Sequence, residues 1–155
     1  MTFLRNTLAI ILGLAASMGI ITLGISLNEN WIEYDYSKFP YEHWNRVIRY
    51  AARTPEVRDS FFLALLFSCG AGAIIGGLVT SIIVKRAKKA YATLVGFLLF
   101  IIAYLDVIFT PHHPTWYEVS ILPVLFFFSW LGGLLTDLVT KKLSRLNGKS
   151  DVRPT

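Results

Sequence analysis

Cysteine pairs are missing. Cys69 is the only cysteine, which excludes an intramolecular disulfide and a CxxC redox motif. Catalytic signatures are missing too: the chain has no GxSxG, no HExxH and no phosphate-binding glycine loop, and no Ser/His/Asp set stands in a credible context. His112 and His113, with Asp106, Glu118 and His43, supply metal-ligand residue types. Adjacent histidines point in different directions, however, and neither HxH nor HxxxH occurs. The expectation is therefore no enzyme, no cofactor and no metal site. Charge is scarce: 16% of residues are Asp, Glu, Lys or Arg, against about 25% in soluble domains. The net charge of +5 does not point to nucleic acid, because the bases sit at the ends of apolar stretches, where they set membrane orientation.

Long apolar runs are what the chain has instead. Hydrophobic residues make up 54% of its 155 positions, and the mean hydropathy is +0.54. Four stretches, Leu8–Leu27, Phe61–Val84, Ala90–Phe109 and Val119–Thr140, each have the length of a membrane span. The fold expected is all-α, a membrane four-helix bundle within residues 1–142. A polar tail, residues 143–155, follows. Arg5, the first apolar run and Ala15-Ala16-Ser17 also fit a cleaved signal peptide. The run continues to Leu27, which favours a retained helix. The partner this composition implies is the lipid bilayer, with a second copy or another membrane protein as further candidates.

The second stretch organises the rest. Ser68, Gly72, Gly76 and Thr80 recur every four residues, beside a second small row of Cys69, Ala73, Gly77 and Ser81. Rows of small residues let a neighbouring backbone come close, which is how helices associate in lipid. Gly13, Ser17 and Gly24 share one face of the first stretch and can press against it. An internal echo joins Ile75-Gly76-Gly77-Leu78-Val79-Thr80 to Leu131-Gly132-Gly133-Leu134-Leu135-Thr136, each followed four residues later by two bases. Two tandem helical hairpins related by a pseudo-two-fold along the membrane normal would explain it, with the glycine pairs at their crossing. The alternative is chance, since Gly-Gly and Thr are common in membrane helices.

The loop from Asn28 to Asp59 holds six acids and five bases, and opens with Trp31, Tyr34, Tyr36, Phe39, Tyr41 and Trp44. Within it, Trp44, Val47, Ile48 and Ala51 repeat at helical spacing, with Arg46, Arg49 and Arg53 off that face. Two readings stand: a lid over a cavity, or an amphipathic helix lying at the headgroups. Thr54-Pro55-Glu56 starts the next helix, with Thr as cap and Pro in the first turn. Counting Lys and Arg puts ten on the side of the termini and five on the other, so both termini are expected in the cytoplasm.

Two carboxylates lie inside apolar stretches, where a charge costs about 2.5–3.5 kcal/mol on insertion scales. Asp137 has Lys141 at i+4 and reads as structural. Asp106 has no base at i±3 or i±4, and His112 and His113 follow it. These three form a candidate ion or proton site, unless Asp106 only bonds a neighbouring helix end.

Gly72, Gly76-Gly77, His113-Pro114-Thr115-Trp116 and Trp130-Leu131-Gly132-Gly133 together give a resemblance, over roughly Pro55 to Thr140. They resemble a family of small, uncharacterised bacterial four-helix integral membrane proteins. The resemblance implies a helical bundle of the bacterial inner membrane and brings no activity with it. Claudin-like proteins need a cysteine pair in the first outer loop, and small multidrug transporters need a glutamate within the first span; both are lacking here. Paired cysteines of quinone-reducing thiol enzymes are lacking as well. The leading expectation is a structural or accessory bundle that binds a membrane partner or lipid through its exposed faces. The alternative is a small transporter or channel with Asp106 in a polar path.

Overall fold

The computed structural model describes the backbone of residues 2–27 and 41–150, and side chains within 3–27, 44–55 and 57–142. The aromatic-rich start of the first loop, Trp31 to Phe39, and the side chain of His43 lie outside the described residues. Five helices follow in order: α1 (Thr2–Leu27), α2 (Tyr41–Arg53), α3 (Pro55–Ile83), α4 (Lys88–Phe109) and α5 (Thr115–Ser150). The architecture is all-helical. Four of the helices are long and apolar enough to cross a membrane: Phe3–Leu27, Val57–Ile83, Lys88–Phe109 and Thr115–Lys142. They are compatible with a multi-pass membrane protein.

Helix α3 is the centre. It packs along α1 on one side and α5 on the other, and α5 in turn packs along α4. Helices α1 and α4 scarcely meet. Small residues permit these approaches. A Cβ on Gly76 would collide with the Ser17 hydroxyl and lie 2.8 Å from the Gly13 carbonyl oxygen; one on Gly72 would lie 2.9 Å from the Ser17 carbonyl. Gly13 looks back at Thr80 and at the Gly76 carbonyl, and Gly24 meets Ser68. On the other side of α3, Gly77 lies against the Ser129 backbone and Gly132 against the backbone of Ile74 and Leu78. A Cβ on Gly133 would lie 2.7 Å from Ala92 Cβ, at the contact of α5 with α4. One glycine of each pair, Gly77 and Gly132, therefore stands where α3 and α5 cross, while Gly76 faces α1 and Gly133 faces α4.

Hydroxyls stitch the same seams. Thr80 Oγ1 donates to the Ala9 carbonyl (3.2 Å) and Ser129 Oγ to the Ala92 carbonyl (2.6 Å). Ser17 and Ser68 instead donate to carbonyls four residues back in their own helices, which hides a polar group without needing a partner helix.

Three expectations change. The apolar face of α2 packs on protein instead of facing lipid: Val47, Ile48 and Ala51 are buried in the same core as Phe61, Phe62 and Leu65. The single residue between α2 and α3, Thr54, folds α2 back over the bundle end, so its apolar face meets protein before it meets lipid. Thr54 does not cap α3 with its side chain; Oγ1 donates to the Tyr50 carbonyl at the end of α2 (3.0 Å). The tail is not separate from the last span, since α5 continues past Lys142 to Ser150. Leu143, Ser144, Arg145, Leu146 and Asn147 offer no helix breaker, and Gly148 alone costs only about 1 kcal/mol.

Candidate functional site

The site sits at the end of the bundle that α2 covers. Asp106, near the end of α4, is its hub. Trp44 Nε1 on α2 donates to Asp106 Oδ1 at 2.9 Å, and Thr110 Oγ1 donates to the same oxygen at 3.3 Å. His113 Nε2 faces Asp106 Oδ2 at 3.5 Å, with the His113 side chain fully buried. That separation is an ion-pair approach and too long for a hydrogen bond, and neither His113 ring nitrogen has a hydrogen-bond partner. The imidazole is held by packing: it stacks on Tyr117 (5.4 Å between centroids, 14°) and takes the edge of Phe62 (5.6 Å). Tyr117 and Cys69 are buried in the same core cluster. Six polar side chains from α2, α3, α4, α5 and the α4–α5 loop thus converge on one place.

Local sequence explains the placing. Thr110 ends α4, its backbone N–H donating to the Asp106 carbonyl. Pro111 and Pro114 bar helix on either side of the two histidines. His112 takes a left-handed backbone (φ 116°) and is exposed, and that turn sends His113 inward. Of the expected trio Asp106, His112 and His113, the structure brings His113 to the carboxylate and leaves His112 exposed. Asp137 lies at the opposite end, 3.1 Å from Lys141 Nζ and 3.9 Å from Lys89 Nζ.

Beside the cluster opens a cavity of about 470 Å³. Its walls are Met18, Ile21, Thr22 and Ile25 of α1, Leu65 of α3, and Leu99, Ile102 and Ala103 of α4, with Trp44, Cys69, Asp106 and Tyr117 supplying the polar atoms. It fills the gap that α1 and α4 leave by not packing together. Thr22 and Ile102, on its rim, are exposed. Among the described residues no Lys or Arg lines it. Among the described residues no three His, Cys, Asp or Glu side chains are grouped to hold a metal ion. Chemically, the arrangement offers an apolar slot with an acceptor at one end: among the described residues Asp106 Oδ2 has the approach of His113 and no hydrogen bond, and the side chain is 27% exposed.

Trp44, Tyr117 and Cys69 were not assigned to a site by sequence reasoning. Trp44 carried one signal, its place on the apolar face of an amphipathic helix. Nothing in spacing says which helix end that face meets. No family model matches the chain, and no curated protein or solved structure does either.

Proposed function

We propose that this is a four-span bacterial inner-membrane protein, both termini cytoplasmic, that receives an amphiphile from the bilayer. The ligand's apolar chain lies in the cavity between α1 and α4, and its head donates a hydrogen bond to Asp106. The observation that carries this reading is the cavity itself: it is apolar, of a size ordinary for ligand pockets (about 300–1,000 Å³), and open on a flank made of membrane-length helices. Without a base among its described lining residues, the cavity disfavours a phosphate head and favours a hydroxyl or ammonium. The orientation rests on the excess of Lys and Arg at the termini and the α3–α4 turn. The kinship with small bacterial four-helix membrane proteins belongs to the same proposal and rests on the glycine pairs and the His113–Trp116 stretch. The amphiphile reading moves the binding surface from the exposed faces of the bundle to its interior.

A long-chain amine, its head an ammonium without phosphate and its alkyl chain carrying a photoactivatable diazirine, tests it, with adducts mapped by mass spectrometry. Adducts concentrated on Ile21, Ile25, Ile102 and Ala103, above those on the equally apolar Phe67 and Leu122, are expected. An even spread over all lipid-facing residues overturns the reading. Rapid attack on Cys69 by a charged, impermeant maleimide would show water in the cavity and turn the assignment to a transporter or channel with Asp106 in its path.

A further inference from the structure

At the other end of the bundle a second cavity, of about 540 Å³, is lined by Arg5, Asn6, Lys85, Arg86, Ala87 and Tyr91. Three of these six side chains are cations, from α1 and from the α3–α4 turn, and none is an acid. Basic residues beside span ends are ordinary; this group differs in being built into a recess. Tyr91 fixes its wall, because Asn6 Nδ2 donates to the Tyr91 hydroxyl at 2.8 Å and ties α1 to α4. Arg5 Nε is buried and has no hydrogen-bond partner. Asn6 Oδ1 is also buried and unpartnered. Buried polar groups are normally satisfied, so an orphan donor and an orphan acceptor on consecutive residues ask for a ligand offering one acceptor and one donor. Ala87 adds to the positive field: it caps α4 from a left-handed backbone without a side-chain bond, leaving first-turn N–H groups of α4 facing the turn.

We infer that this recess binds the head group of an anionic phospholipid, a phosphodiester that also carries a hydroxyl. The phosphate oxygens accept from Arg5, Lys85 and Arg86, charge-assisted contacts of the kind phosphate prefers. The hydroxyl donates to Asn6 Oδ1. The acyl chains lie along the exposed apolar residues of the adjoining helices, Leu8 and Leu12 on α1 and Ile82 on α3. The site stands apart from the Asp106 cavity: that cavity has a carboxylate and no base, this recess has bases and no carboxylate, so the two select opposite heads. Basic pockets between helix ends recognise anionic lipid heads by this chemistry.

The test uses the full chain in nanodiscs of phosphatidylcholine with a minor fraction of phosphatidylglycerol, and native mass spectrometry to count retained lipid. Wild type should retain phosphatidylglycerol at least ~10-fold over its share of the mixture. Arg5→Gln and Arg86→Gln should each reduce that enrichment severalfold, while Lys142→Gln, an exposed base outside the recess, should leave it unchanged. Asn6→Leu should lower the preference for phosphatidylglycerol over phosphatidic acid, which lacks the hydroxyl. Equal retention of phosphatidylcholine and phosphatidylglycerol by unmodified protein overturns the inference whatever the variants do. Equal losses in Lys142→Gln and Arg5→Gln overturn it too, because surface charge alone would then explain retention. Displacement of the lipid by millimolar inorganic phosphate would keep the phosphate subsite and overturn the lipid as its source.

Discussion

Gly77 and Gly19 are the same residue type in the same class of helix, with opposite surroundings. A Cβ on Gly77 would meet the Ser129 backbone, with the Ser129 carbonyl carbon at 3.0 Å. Backbone cannot swing aside as a side chain can. Gly77→Ala should therefore destabilise the bundle by about 1–3 kcal/mol, the ordinary cost of overpacking. Around Gly19 nothing lies within 4 Å, so Gly19→Ala should be neutral or stabilise by up to about 1 kcal/mol through helix propensity. Thermal unfolding in mild detergent reads both, and equal effects would refute the close-approach account. At the cluster, Trp44→Phe keeps the ring and removes the donor to Asp106. It should cost about 1 kcal/mol, the scale of polar contacts between membrane helices, and its effect should largely vanish in an Asp106→Asn background. Asp106 stood out in sequence because a carboxylate in an apolar run is conspicuous by itself. Of its partners, His113 is legible because it follows Asp106 closely in the chain, and Trp44 is not, because it becomes a neighbour only once α2 folds over the end of α4. His112 and His113 look alike in sequence; the left-handed backbone at His112 separates them.

Among the helices, α2 is the one whose role changed most between pattern and structure. Periodicity of 3.6 locates a helix and its apolar face. It is blind to whether that face covers lipid or protein. Burial of Val47 and Ile48 at 1% and 0% exposure decides for protein, and the lid reading of this segment gains from it. Ile48→Asp should unseat α2 alone. Burying an unpaired charge costs several kcal/mol, and at about 1.4 kcal/mol per decade tryptic cleavage at Arg46 and Arg49 should rise by ~100-fold. Circular dichroism should still report the other four helices intact. Loss of all helicity would mean that α2 holds the bundle together instead of capping it. The four long helices were legible for a plain reason: a span must satisfy its backbone internally and be apolar throughout. The continuation of α5 to Ser150 was not, because beyond Lys142 the residues are polar and the apolar signal stops while helix propensity persists.

Taken whole, the molecule has two unlike ends. The α2 end holds the Asp106 cluster; the other holds the α3–α4 turn, Arg5 and the Asp137 pairs with Lys89 and Lys141. This asymmetry of charge is what orients such a chain in a bilayer. Replacing Lys85, Arg86, Lys88 and Lys89 by Gln leaves six bases against five and should yield a mixed orientation. A fluorescent protein fused to the C-terminus, which matures only in the cytoplasm, should then lose roughly half of its signal. Unchanged fluorescence would show that packing, not charge, sets the topology. The gap between α1 and α4 also bears on how the bundle is assembled. Helix α1 is made first, yet its only extensive partner is α3, so it must wait in the lipid with Gly13 and Ser17 uncovered while α2 and α3 follow. Helices α3, α4 and α5 meanwhile close on one another without it. Any α1 presenting the same face can dock in that place, including one from a neighbouring copy. Exchange of first helices between two chains would preserve every contact along the seam, making a swapped dimer the assembly error, or the assembly route, to which this architecture is most open.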